Sequence, residues 1–206
     1  MKKQIALAIA LAAASFGTFA GELSYSNVEA GVGRVEIEND DAFGADDFVL
    51  DGYFIRGSVA LNDSFYLFGG YETGSDEVST IVGGFDIDVA QAQAGIGYHY
   101  ALSDRADLLT EISYLNQEVD VSYGPLGFSD SENVDGYRAS LGFRGLLADN
   151  FEGLIKANYT DGSDLDGEFS GTVGAQLKFN PTWGLVGEVE LGDDVTQYLI
   201  GVRASF

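Results

Sequence analysis

One histidine and 33 carboxylates supply most of the reactive side chains in this 206-residue sequence. His99 is the one side chain ready to act as a general base near neutral pH. With no cysteine beside it, thiol catalysis, disulfide scaffolding and Cys/His zinc centres are excluded. The carboxylates offer a second chemistry. Asp161, Asp164, Asp166 and Glu168 lie within one short stretch, and Asp130, Glu132 and Asp135 cluster similarly. Oxygen-rich loops of this kind suit Ca²⁺ or Mg²⁺. Their spacing departs from the EF-hand pattern and lacks its distal bidentate glutamate, so the reading is weak cation binding by a solvated acidic loop, with no specific metal site and no cofactor. A formal charge of −23 repels phosphate backbones and excludes nucleic acid as a partner.

The elements that position these residues begin with a targeting signal. Lys2 and Lys3 precede an apolar run over residues 5–16, and Thr18-Phe19-Ala20 offers a cleavage site. Residues 1–20 therefore read as a secretory signal peptide, an uncleaved anchor being the alternative; the run is shorter than the ~20 residues a spanning helix needs. The expected mature chain, residues 21–206, is one domain with 8 Lys and Arg against 33 Asp and Glu. A Sec-type signal on a cysteine-free, acidic, glycine- and tyrosine-rich chain points to a Gram-negative envelope protein.

After residue 20, period-two alternation replaces any helical pattern. Phe169, Gly171, Val173, Ala175, Leu177 and Phe179 alternate with Ser170, Thr172, Gly174, Gln176 and Lys178. Tyr198, Ile200, Val202, Ala204 and Phe206 repeat the pattern. Similar runs begin near Tyr53, Phe65, Ala90, Leu108, Tyr137, Phe151 and Trp183, and a first strand over 23–37 is expected to break parity at a bulge near Gly31 and Gly33. Tight turns at 62–64, 103–105, 148–150 and 180–182 alternate with longer segments at 38–47, 73–86, 116–134 and 161–167, and a brief one at 192–195. Short periplasmic turns opposite longer extracellular loops are the mark of an outer-membrane barrel. The expected fold is all-β: a transmembrane antiparallel up-and-down β-barrel of about ten strands, eight being the alternative.

Two patterns separate such a barrel from a soluble sandwich. Aromatic residues of the apolar face collect at both strand ends: Phe65, Tyr100, Phe143, Phe151, Phe179, Trp183 and Phe206 at one, Tyr53, Tyr71, Tyr114, Tyr137, Tyr159, Phe169 and Tyr198 at the other. On the opposite parity lie Arg56, Arg138, Arg144, Lys156, Lys178 and Arg203, together with Glu72, Glu111, Glu152, Glu188 and Glu190. A charged interior under an apolar exterior inverts the soluble pattern and predicts a lumen crossed by ion pairs, for example Arg138 and Arg144 with Glu111 and Glu152. Phe206 on its alternating strand reads as a signal for the outer-membrane barrel assembly machinery.

Several short motifs carry a resemblance: Phe68-Gly-Gly-Tyr71, Gly95-Ile-Gly-Tyr98-His-Tyr100, Phe151-Glu-Gly153, Asp166-Gly-Glu-Phe169, Gly174-Ala-Gln-Leu-Lys-Phe-Asn180 and Trp183-Gly-Leu185. With these the chain resembles small outer-membrane barrels of the OmpA/OmpX type, and more closely a proteobacterial family of acidic barrels described as diffusible-signal-factor-regulated outer-membrane proteins. The resemblance implies fold and location but brings no catalytic residues. His99 falls on the inner parity near a periplasmic turn, away from the outer rim where catalytic barrels work, and so reads as a lumen hydrogen-bonding residue; the chain is not expected to be an enzyme.

The segments 38–47, 72–88, 116–135, 161–168 and 192–194 hold 21 acidic residues and no Lys or Arg. Beside anionic lipopolysaccharide such a rim needs bridging divalent cations. The functional expectation is a structural or surface-interaction barrel with a blocked lumen, acting through its loops on an extracellular partner. A small cation-favouring diffusion channel is the alternative.

Overall fold

The structure, a computed structural model, describes residues 23–37, 48–80, 83–123, 128–163 and 167–206. They form ten strands: β1 (Asn27–Ile37), β2 (Phe48–Ala60), β3 (Phe65–Thr80), β4 (Gly83–Ser103), β5 (Ala106–Tyr123), β6 (Phe128–Ala148), β7 (Phe151–Gly162), β8 (Glu168–Lys178), β9 (Trp183–Leu191) and β10 (Val195–Ser205). Each pairs antiparallel with its neighbour in sequence, and β1 closes the barrel on β10, from Asn27 opposite Ser205 to Ile37 opposite Val195. Closure leaves no free edge within the membrane, where an unpaired backbone group would find no water. Ten strands, not eight, close the sheet.

Alternation decides which side chain meets which solvent. On β8, Thr172 and Gln176 turn inward and are buried, whereas Val173 and Leu177 face out. Around the barrel Val32, Ile112, Leu141, Ile155, Val173 and Ile200 are each more than half exposed. That exposure is destabilising in water but is the favourable state against hydrocarbon. The aromatic residues at the strand ends stand on this outer face, some in contact: Tyr114 meets Tyr137 edge-on at 5.6 Å, and Tyr159 meets Phe169 at 4.9 Å. The tight turns are held by their own side chains. Asn62 Oδ1 accepts from the amides of Ser64 and Phe65, and Asn180 Oδ1 from those of Thr182 and Trp183, at 2.9–3.0 Å.

Two sequence expectations are corrected. β1 carries no bulge: its register against β2 and β10 is unbroken through Gly31 and Gly33. Register shifts occur instead beside periplasmic turns, at Ala101/Ser103 and Leu146/Ala148. Second, most of 73–86 and 116–134 is strand. β3 pairs with β4 out to Thr80 opposite Gly83, and β5 with β6 out to Tyr123 opposite Phe128. The β5–β6 ladder continues nine residue pairs beyond the Tyr114–Tyr137 contact, about 30 Å along the strands, so two hairpins rise as a four-stranded wall on one side. The segment 38–47 and residues 1–20, the expected signal peptide, lie outside the described residues.

Candidate functional site

The lumen is the site, and it has three levels. At the periplasmic level the segment preceding β1 turns inward. Tyr25 is buried, its ring stacked on His99 at 3.8 Å and tilted against Tyr66 at 4.9 Å. Its hydroxyl donates to Asp107 Oδ2 at 2.6 Å, and the Arg144 guanidinium lies 4.9 Å from its ring centre. Arg144 also donates to the Ser24 carbonyl at 2.9 Å, tying this segment to β6. Leu109, Leu23, Phe68 and Leu154 complete an apolar floor. Gly97 makes the floor fit: any Cβ there would fall on the Tyr66 ring. His99 Nδ1 is 3.2 Å from Asp107 Oδ2 without an aligned hydrogen bond, and Tyr25 donates to the same oxygen. The imidazole is thus packed between a ring and a carboxylate.

Above the floor, charges cross the barrel. Glu29 on β1 accepts from Arg56 Nε at 2.7 Å and pairs with Arg203. The remaining nitrogens of Arg56 reach Glu188 on β9 at 2.5 and 3.0 Å. Glu152 accepts from Arg144 Nε at 2.5 Å, with Lys178 Nζ at 3.1 Å and Arg203 Nη1 at 3.6 Å. Glu111 takes Lys156 Nζ at 3.2 Å and the Tyr66 hydroxyl at 2.6 Å. Arg138 reaches Glu190 at 3.3 Å and Thr160 Oγ1 at 3.0 Å. Glu72 is held by two amides, Gln91 Nε2 at 3.1 Å and Gln197 Nε2 at 2.8 Å. Several links join strands three apart in the sheet: Arg56 to Glu188, Arg138 to Glu190, Gln197 to Glu72. A cavity of about 190 Å³ remains among them.

All eleven sequence-derived lumen residues turn inward; the expected pairing of Arg144 with Glu152 is present, while the partners of Arg138 and Glu111 differ from expectation. Arg144 meets Glu152; Glu111 takes Lys156, and Arg138 takes Glu190. The reason is height, since Arg138 lies six residues further up β6 than Arg144. Glu29, Asp107 and Tyr25 were not foreseen. Reading β1 as unbroken would have placed Tyr25 and Glu29 on one inward parity with Asn27.

The third level is the extracellular mouth, a cavity of about 280 Å³ above the ion pairs. On the outer face beyond the aromatic girdle, Arg34 donates to both oxygens of Asp51, at 2.8 and 3.0 Å, and this hydrogen bonding holds the Asp51 carboxyl below the ordinary aspartate range. Basic residues are therefore not confined to the inner face. Asp135 accepts from the Tyr114 hydroxyl at 2.5 Å and Asn116 Nδ2 at 2.9 Å, and these bonds lower its pKa. Of the acidic loop, Asp164 and Asp166 lie outside the described residues. Asp161 accepts from the Gly162 amide and the Tyr159 hydroxyl, and Glu168 from the Asp193 amide at 3.4 Å. Among the described residues no three His, Cys, Asp or Glu side chains are grouped to hold a metal ion. Phe206 donates its amide to Ser26 O at 3.0 Å, closing the last strand beside the first.

Comparison with known proteins agrees with this architecture. The profile of the family described as outer membrane protein beta-barrel domain matches residues 5–202. No curated protein matches. The transport unit of the autotransporter AIDA-I from Escherichia coli is similar at 12% identity and TM-score 0.54, with 98% of this chain and 97% of that one covered. The translocator domain of the autotransporter NalP from Neisseria meningitidis is similar at 11% identity and TM-score 0.51, covering 100% of this chain and 95% of that one. The attachment invasion locus protein Ail of Yersinia pestis is 15% identical, with TM-score 0.45 and coverage of 89% and 99%. For the two autotransporter domains the likeness, at these identities, is one of fold.

Proposed function

The chain belongs to the outer membrane protein β-barrel domain family and is a bacterial outer-membrane barrel, and from that premise we propose that it is a structural or surface-interaction barrel whose lumen is closed. The observation that carries this reading is the crossing of the lumen by Glu29, Arg56, Glu188, Glu152, Arg144 and Arg203 above a floor packed by Tyr25. Ten strands enclose little more than side chains, whereas open aqueous channels are typical of barrels with about sixteen or more. What reaches the outside is the acidic wall of β3–β6, which supports a role in contact at the surface. Divalent cations bridging this rim to lipopolysaccharide, and recognition of Phe206 by the barrel assembly machinery, belong to the same proposal. His99 is assigned to packing, and the reading includes no catalysis. The motifs around Gly95 and Gly174 support kinship with the acidic diffusible-signal-factor-regulated barrels.

A cation-favouring diffusion channel is the second reading, favoured by one feature: the two cavities share Glu72, Gln91, Arg138, Glu190 and Gln197 in their walls. Single-channel recording of the refolded mature protein in a planar bilayer at asymmetric salt decides between them. The closed-lumen reading expects silence from a folded, heat-modifiable barrel. Steady cation-selective steps would overturn it.

A further inference from the structure

The alternation of polar and apolar residues changes sense with height. Through the membrane the inward parity is polar. Above the girdle that parity turns mostly apolar on β4 and β5, which carry Ile87, Val89, Leu115, Val119 and Val121 on the inner side with Gln117 among them, while Asp76 on β3 and Asp130 and Glu132 on β6 keep carboxylates on the same side. The outward positions there are Asp86, Asp88, Glu118 and Asp120, all exposed. β1, β2 and β10 add Val35, Leu50, Phe54 and Leu199, so the 280 Å³ mouth is a cup with apolar walls over a polar floor. Leu50, Phe54 and Leu115 are each no more than 5% exposed, which gives the cup a packed wall instead of loose side chains. An apolar concavity with a few convergent polar groups is the form of a small-molecule site.

The polar groups indicate the ligand's charge. Glu72, Glu168 and Glu190 line the cup against one cation, Arg138, already divided between Glu190 and Thr160. The two amides on Glu72 fix its carboxylate without supplying a counter-charge. We propose that the extracellular cup binds a small amphiphile, an aromatic or aliphatic body seated against Leu50, Phe54, Leu115 and Leu199 with an amine head directed at Glu72. An anionic amphiphile would bring like charge into the same cup. The proposal goes beyond the structural reading and holds whether or not the lumen conducts.

The test uses the full mature chain in lipid nanodiscs with ¹³C-labelled Ile, Leu and Val methyls, titrated with benzylamine, benzyl alcohol and benzoate. These three water-soluble probes share a body and differ in head charge. The expected result is saturable shifts at Leu50, Leu115 and Leu199, with benzylamine binding at least about tenfold more tightly than benzoate. Glu72→Gln should bring benzylamine down to the affinity of benzyl alcohol. Leu199→Trp, which fills the cup without touching the charge, should remove saturation for all three. Three outcomes overturn the proposal: benzoate binding as tightly as benzylamine, no response to any probe, or unsaturable shifts as large at the lipid-facing Val173 and Ile200 as in the cup. Unchanged benzylamine affinity in a folded Glu72→Gln barrel overturns the assignment of the head group.

Discussion

Glu152→Gln tests the claim that charges crossing the lumen hold the barrel together. Glu152 is 3% exposed and faces three cations, Arg144 at 2.5 Å, Lys178 at 3.1 Å and Arg203 at 3.6 Å. Glutamine keeps the shape and removes the charge. Arg203 retains Glu29, and Arg144 retains the Ser24 carbonyl. Removing one partner from a buried ion pair costs ~3–5 kcal/mol, because the other charge stays buried without compensation. Because cations around Glu152 keep other contacts, the low end of that range, a loss of about 3 kcal/mol, is expected, roughly a hundredfold in the folded-to-unfolded ratio. Equilibrium urea unfolding in lipid vesicles reads it, and Trp183, the one tryptophan, reports from the lipid-facing periplasmic rim. The companion variants are Arg144→Met and the double variant. Direct coupling predicts that the double loses less than the sum of the singles by ~1–3 kcal/mol. A Glu152→Gln midpoint within about 0.5 kcal/mol of wild type, or strict additivity, would refute the reasoning.

Three further outcomes follow from the same geometry. Gly97→Val places methyl groups where the Tyr66 ring lies, and an overpacked floor should lose ~1–3 kcal/mol in the same unfolding assay, whereas Gly171→Val, whose Cβ meets only ordinary contact, should lose less. Arg34→Ala, on the exposed outer pair with Asp51, should leave the unfolding midpoint unmoved, since a solvated pair adds little; a shift matching that of Glu152→Gln would break the distinction between lumen and rim. For Asp135 the folded pKa is lowered, so its bonds to Tyr114 and Asn116 contribute fully above the ordinary aspartate value of 3.8 and are lost as pH falls through the depressed value. Side-chain NMR of Tyr114 and Asn116 should therefore hold constant from pH 7 to pH 4 and change only below; a transition near pH 6 would contradict the sign.

The parts of this molecule that could be read from its sequence are those that a period of two enforces. A one-residue slip on β8 would put Lys178 and Gln176 into lipid and Val173 into the lumen, so face assignment there tolerates no alternative. Glycine weakens the constraint, because it belongs to neither face. Gly31 and Gly33 leave β1 without a marked inward side, and the break in parity expected there hides Glu29 from the lumen network. The hairpin walls were hidden differently. Asp86, Asp88, Glu118 and Asp120 have the composition of loops, yet each alternates with Ile87, Val89, Val119 or Val121, and the alternation was the stronger signal. Composition describes solvent exposure, and a strand standing clear of the membrane is as exposed as a loop.

Partner choice inside the lumen was beyond sequence reading for a geometric reason. Arg56 and Glu188 are 132 residues apart and three strands apart, and they meet because barrel radius and stagger bring them to one height. Parity assigns a residue to the lumen; height along the axis assigns its partner. The same variable separates the charged middle from the apolar mouth. Glu72 and Leu50 share the inward side, but Leu50 lies opposite Val35 near the top of the β1–β2 ladder, whereas Glu72 faces Gln91 where the ion pairs end. The boundary between the ion-paired interior and the proposed cup therefore falls at Glu72, and that one carboxylate is where the structural reading and the binding proposal make different demands: the first needs only its amide bonds, the second needs its charge. Glu72→Gln can keep hydrogen bonding at that site while removing the charge, so unchanged unfolding with loss of benzylamine preference would assign the residue to binding, and the reverse pattern would assign it to the scaffold.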